Sequence, residues 1–322
     1  MKKILALLLV VAMAAMMFVA CGEAETTTEA TVTTETTVTT EATTATTEAT
    51  TVATTTAATT TAATTTAATT TVAPVTPPAT GDDVYVDVNF ENGAVADAKG
   101  NATFVNVGTP TVGEVDVKFN GVTKKVNALQ IKASGNYVIG TFAKLGTADA
   151  MNGFLANGFS VEAFYIDNSS VISGIVCMTE ANTGWGIADQ TDNKPYFITG
   201  SGSGYNAAYA TKGPASGELV HVVATYDPAA KAHTIYVNGV ECSNLASKYP
   251  GTNVSGVLGA NKTSQSGVAM FNVFCLGADL SPSRVGDFLA DDLTIVDAKI
   301  YNKALTAGEV ANIYNAVVTD WK

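Results

Sequence analysis

The chain has 322 residues, with 17 Lys and Arg against 29 Asp and Glu, a formal net charge of −12. An acidic balance of that size excludes a nucleic-acid binder, which needs a basic stripe. Arg284 is the only arginine, so bidentate phosphate recognition has almost no tools to work with.

Lys2 and Lys3 precede Ile4–Ala20, a run without charge, and Cys21-Gly22-Glu23 follows. A basic start, an apolar run and a small residue before the break predict a secretory signal over residues 1–20. The other reading is an uncleaved membrane helix, for which this run is at the lower limit of length. Phe18-Val19-Ala20-Cys21 resembles the lipobox of bacterial lipoproteins, in which the cysteine becomes the lipidated first residue. That resemblance implies lipidation at Cys21, membrane attachment through the lipid, and an extracytoplasmic place at the cell surface. Two acyl chains on one cysteine suffice for stable anchoring.

Residues 21–80 form a Thr-rich linker. Between Thr26 and Thr80, 30 of 55 residues are Thr, and from Thr54 the unit Thr-Thr-Thr-Ala-Ala repeats three times. No large apolar side chain is available to bury, so the composition predicts a disordered tether. Pro74, Pro77 and Pro78 favour extension at its end. Such Thr tracts serve either as O-glycosylated stalks or as unmodified spacers.

Residues 81–322 carry the globular sequence, long enough for one core burying most of its apolar surface. Val84, Val86, Val88 and Phe90 alternate with Tyr85, Asp87 and Asn89, the period of a half-buried strand. Further strands are predicted over 159–166, 172–178, 185–188, 196–199, 219–226, 271–276 and 293–300. Asn238-Gly239 between Thr234–Val237 and Val240–Cys242 predicts a tight hairpin. One helix stands out: Thr306 with Glu309 forms a capping box ahead of Val310, Ile313, Tyr314 and Val317. Many strands and one short C-terminal helix predict an all-β antiparallel sandwich. Cys177, Cys242 and Cys275 fit no zinc spacing and read as buried thiols, with one disulfide left open.

The segment Leu219–Asp227, followed by Ile235-Tyr236-Val237-Asn238-Gly239, resembles the signature hairpin of the laminin-G-like, concanavalin A-like jelly rolls. Lys299-Ile300-Tyr301-Asn302-Lys303 with Leu305, Thr306 and Glu309 is similar to that family's closing strand and helix. Asp97-Ala98-Lys99-Gly100-Asn101, Phe159–Ala163 and Gly184-Trp185-Gly186 also match its pattern. The resemblance implies a jelly roll and says little about function, since this fold hosts lectins, adhesins and appended modules alike.

Related jelly-roll glucanases carry Glu-x-Asp-x-Glu on one strand, with both Glu on one side. Here Glu114-Val115-Asp116-Val117-Lys118 puts an amine in place of the second carboxylate, so retaining glycosidase chemistry loses a partner. His221 reads as a structural residue of its strand, and His233 as a solvated one. The central position of Gly200–Gly204 is glycine, so that loop holds no nucleophilic elbow. No catalytic residue is expected.

Calcium is the cation that Asp97, Asn101, Asp291 and Asp292 would take, because carboxylate and amide oxygens are its ligands. Relatives hold an ion between the loop after the first strand and the last strand, although Val296 stands where an acid is common. Ordinary surface acids are the other reading. A sugar site needs aromatic faces with amide or carboxylate partners. Trp185, Tyr196, Tyr205 and Tyr209 lie in a Gly/Asn-rich stretch with Asn182, Asn193 and Asn206. Of these, Trp185 is also a core candidate, while Tyr205, Asn206 and Tyr209 read as loop positions. The sequence thus predicts a non-catalytic surface module binding carbohydrate or a surface glycoconjugate. The alternatives are an adhesive head that binds protein and, behind it, a glycan-active enzyme.

Overall fold

A computed structural model describes residues 82–178, 184–200, 205–214, 217–245, 272–281 and 284–321. The signal, Cys21, the Thr-rich linker, Asn182 and residues 201–204 lie outside the described residues. No helix among the described residues is long and apolar enough to cross a membrane.

Strands β1 (Val84–Asn89), β2 (Ala96–Asp97) and β3 (Ala102–Val107) precede a long hairpin, β4 (Thr111–Phe119) and β5 (Val122–Ile131). After β6 (Tyr137–Phe142) comes helix α1 (Ala148–Ala156), then β7 (Phe159–Asp167), β8 (Ser173–Cys177) and β9 (Trp185–Asp189). β10 (Pro195–Gly200), β11 (Tyr205–Ala210), β12 (Val220–Asp227) and β13 (Ala232–Val237) continue the chain. The short β14 (Val240–Glu241), β15 (Ser243–Leu245), β16 (Val273–Leu276), β17 (Asp279–Ser281) and β18 (Arg284–Asp287) follow. β19 (Leu293–Tyr301) and helix α2 (Ala307–Asp320) close it.

Two antiparallel sheets make the sandwich. Sheet A runs β14-β13-β12-β7-β19-β1-β2, with the β4–β5 hairpin joined to β19 through β5. Sheet B runs β15-β11-β10-β9-β8-β16-β6-β3. From sheet A, Val86, Val88, Val161, Ala163, Val222, Ala224, Ile295, Ala298 and Ile300 enter one core. Trp185, Ile187, Phe197 and Phe274 of sheet B fill it from the other side. The alternation along β1 thus puts Val86, Val88 and Phe90 between the sheets.

Helix α2 covers the outside of sheet A. Thr306 Oγ1 accepts from Glu309 N and Glu309 Oε2 accepts from Thr306 N, the reciprocal cap that the sequence predicts. Its Val310 packs with Val223, Tyr236 and Tyr301, and Trp321 beyond it packs with Phe119 and Phe164. The indole Nε1 of Trp321 donates to Val122 O at 3.1 Å, tying the helix end to the β4–β5 turn.

Two elements differ from expectation. Helix α1 is a second helix, capped by Thr147 Oγ1 at Ala150 N, which buries Met151, Phe154 and Leu155. Its Asn152 and Gly153 weaken the local helical signal, and burial in the core decides the conformation. His233 is not solvated: it shares the inward face of β13 with Ile235, touches the Tyr226 ring at 4.8 Å, and burial pushes its pKa down to about 4.

Candidate functional site

β9 and β10 are joined by a tight turn over Gln190–Lys194. Gln190 N donates to Lys194 O, Asn193 N donates to Gln190 O, and Asn193 takes φ 56°, a conformation Asn tolerates. On the other side of β10, Tyr209 of β11 stands opposite Tyr196. Directly opposite residues in an antiparallel pair share a face, and the two rings stack at 5.3 Å and 22°. Tyr196 is buried and Tyr209 half-buried, so the outer ring is backed by the inner one.

The loop after β11 closes the arrangement. Thr211 N donates to Cys242 O, and Gly213 packs so tightly on the turn that a Cβ there would lie 2.1 Å from Asn193 O. Between turn and loop lies a cleft of about 380 Å³, lined by Gln190, Asp192, Lys194, Tyr209, Ala210 and Thr211. Lys194 Nζ donates to Asp192 Oδ2 at 2.5 Å, and this bond holds the Asp192 carboxyl below its usual range. An aromatic face, an amide, a hydroxyl and an ion pair around one open cleft can stack on a ring and bond its hydroxyls.

The residues expected at a sugar site separate sharply. Tyr209 reaches the cleft. Tyr205 begins β11, opposite Gly200, and is a strand residue rather than a loop one. Trp185 and Asn206 are corrections: both lie on buried positions, 0% and 3% exposed, so neither can meet a ligand. Trp185 pairs with Thr199 on the inward face of β9 and packs against Phe159. Asn206 also stands opposite Thr199, from β11. Gln190, Asp192, Lys194 and Thr211 escaped the sequence reading, because a polar turn carries no periodic signal.

The calcium ligands do not converge. Asp97 Oδ1 accepts from Asp87 N and Lys99 N, and Oδ2 from Asn101 N and Ala102 N, so four backbone donors use its lone pairs. Asn101 Nδ2 donates to Tyr85 O, leaving one buried oxygen, Oδ1, without a partner. Asp97 faces Val88, which faces Ala298, whereas Asp291 and Asp292 precede the far end of β19. Six strand residues separate those ends by roughly 20 Å. Asp292 pairs with Lys132 at 2.5 Å and Asp291 accepts from Ser170, so the four residues do not fit one ion. Among the described residues no three His, Cys, Asp or Glu side chains gather as a metal site.

Other titratable groups are structural in their setting. Glu114, Asp116 and Lys118 lie exposed on one side of β4, with Val117 and Phe119 buried on the other. Glu162 is buried between His221, whose Nε2 lies 2.9 Å away, and the Tyr301 hydroxyl, which donates to Oε2. Burial alone would raise the Glu162 pKa. The Lys299 ammonium and these two partners outweigh it and hold the group at about 2. Tyr165 OH donates to Asp189 Oδ1 at 2.6 Å, deep in the sandwich. Burial pushes Asp189 up to about 8.

Comparison with known proteins bears on this geometry. A family profile described as concanavalin A-like lectin/glucanases superfamily, in its laminin-G form, matches residues 140–311. No curated protein matches the chain. Among solved structures, the fold is similar to the binding domain of botulinum neurotoxin DC in complex with rat synaptotagmin II, at TM-score 0.51 and 14% identity. That match covers 73% of this chain and 52% of the other. The botulinum neurotoxin serotype C1 binding domain gives TM-score 0.51 and 16% identity, with 73% and 52% covered. A botulinum neurotoxin type C structure, described as entering cells through two ganglioside molecules, gives 0.50 and 14%, with 73% and 51% covered. The chain thus spans about half the length of these structures, and the likeness is one of fold.

Proposed function

Because the chain belongs to the concanavalin A-like lectin/glucanase superfamily, in its laminin-G-like form, we propose that its jelly roll is a carbohydrate-binding head. The head is non-catalytic and displayed outside a bacterial cell. Residues 1–20 direct export, Cys21 carries the lipid, 21–80 form the stalk, and 81–322 form the head. The ligand is a polysaccharide or surface glycoconjugate.

One observation carries this reading: the half-exposed Tyr209 ring, backed by Tyr196, at the wall of a cleft rimmed by Gln190, Asp192, Lys194 and Thr211. A rigid aromatic face loses little entropy on binding, and the polar rim supplies donors and acceptors for hydroxyls. The non-catalytic reading draws on β4, where Lys118 stands in place of the second glucanase carboxylate. Glu162 and His221 lie where no substrate reaches.

A glycan array probed with the purified chain tests the proposal. The expected outcome is a restricted set of bound glycans and a loss of at least roughly tenfold in affinity for Tyr209→Ala, about 1.4 kcal/mol, with native circular dichroism retained at the assay temperature. Equal binding by wild type and Tyr209→Ala would place the ligand elsewhere.

A further inference from the structure

Sheet B is hydrogen-bonded throughout, yet one seam in it is shallow. β8 and β9 share four registered pairs, as do β16 and β6, whereas β8 meets β16 at two. These two are Val176 opposite Leu276 and Cys177 opposite Cys275. Among the described residues this ladder alone joins β15, β11, β10, β9 and β8 to β16, β6 and β3.

Both cysteines leave the same face, the one turned away from the main core. Cys177 packs with Ala188, Tyr196 and Ile198, and Cys275 with Tyr137, Ile139 and Val273. Gly277 N donates to Ile175 O, so the pair two residues along, Cys275 with Cys177, also occupies a hydrogen-bonded position. Cα atoms at such a position are about 5.5 Å apart, inside the range that a disulfide spans. The Cβ atoms have to close by roughly 1 Å, and Cys177 Sγ, which donates to Ile187 O at 3.2 Å, has to turn away from β9. Cys242 precedes β15, four strands from β8 and hence roughly 19 Å away, too far to compete. All three are thiols in the structure.

We propose that Cys177 and Cys275 are joined by a disulfide that bolts the two parts of sheet B together, made by exchange with an external disulfide while the chain folds. One cysteine thiolate attacks a sulfur of a small-molecule or protein disulfide, forming a mixed disulfide and expelling one thiolate. The second cysteine thiolate then attacks the protein sulfur of that mixed bond and expels the other thiolate. The two cysteines together lose two electrons and two protons, and the external disulfide takes them up as two thiols. Burial raises both folded thiols well above their usual range, with the Asp279 carboxylate adding to it, so exchange belongs to folding, before this face closes.

The test refolds the full chain from the reduced, denatured state in a reduced/oxidised glutathione buffer, then alkylates free thiols under denaturing conditions and maps the peptides by mass. The expected product is a peptide pair linked through Cys177 and Cys275, two hydrogens lighter than its separate parts, with Cys242 alkylated. The oxidised chain should melt roughly 5–15 °C above the chain refolded in dithiothreitol. Cys275→Ser should remove both the linked pair and the difference in melting temperature between oxidising and reducing refolds. Alkylation of Cys177, Cys242 and Cys275 alike at every glutathione ratio in a chain with native circular dichroism would overturn the proposal. So would a link that includes Cys242, or a linked pair with no rise in melting temperature.

Discussion

His221 Nε2 lies 2.9 Å from Glu162 Oε1, and almost no water reaches either side chain. The strands carrying them, β12 and β7, are adjacent, and Tyr301 of β19 fills the remaining oxygen from the other flank. One carboxylate therefore joins the three central strands of sheet A beneath helix α2.

Removing that carboxylate should be costly. Glu162→Ala leaves a buried imidazole and a buried hydroxyl without their acceptor, a loss of about 3–5 kcal/mol. At this size that lowers the melting temperature by roughly 6–20 °C. The pH dependence has a definite sign. A carboxyl held at about 2, against 4.5 ordinarily, contributes its stability fully above pH 4.5 and loses it as pH falls towards 2. The stability gap between wild type and Glu162→Gln should narrow across that window, and a constant gap would refute this account.

Asp189 has the opposite sign. Burial raises it to about 8, so the folded chain keeps the proton while the unfolded chain loses it above about 4. Folding stability should therefore fall as pH rises from about 4 to 8, by an amount on the order of a few kcal/mol. Asp189→Asn keeps an acceptor for the Tyr165 hydroxyl and should flatten the slope. Urea titrations at pH 5 and pH 8 measure it, and parallel slopes for the two proteins would count against the assignment.

Asp97 organises its loop by accepting from four backbone donors. Asp97→Ala should cost about 2–4 kcal/mol by unmaking them. Wild type should melt identically in EDTA and in millimolar Ca²⁺, and the deficit of the variant should be the same in both. A wild-type transition that rises with Ca²⁺ would restore these residues as ligands.

At the other end of the chain, Cys21→Ala should move the protein from the membrane fraction to the medium or halt its processing. Mass spectrometry of the mature N-terminus decides it, because an unmodified terminus at another residue is incompatible with lipidation at Cys21.

Much of the fold was legible in the sequence, and the reason is periodicity. Val84–Phe90 and Leu293–Ile300 alternate because one side of each faces the core, and Thr306 with Glu309 announces its helix by chemistry alone. Helix α1 gave a weaker signal, since Asn152 and Gly153 interrupt it, and the Thr147 cap with tertiary burial of Phe154 and Leu155 holds it. The site was legible only in part. Tyr196 and Tyr209 are thirteen positions apart and become a stacked pair through the β10–β11 register, which no local pattern encodes. Asn206 misled for a related reason: its Gly- and Asn-rich flanks resemble a loop, while strand alternation turns its side chain inward, and of the two readings of Trp185 the core one is what β9 realises. His233 erred in the same way, a polar residue on the inward side of its strand.

The pairing of β1 with β19 sets a timetable. A chain delivered amino end first holds Val84–Asn89 with only the two-residue β2 beside it until Leu293–Tyr301 has also emerged. The β4–β5 turn likewise waits for the indole of Trp321. Closing contacts so distant in sequence is slow. The sandwich is therefore complete only once β19 has arrived, and a chain stopped short of residue 293 leaves β5 and β7 each with an open edge.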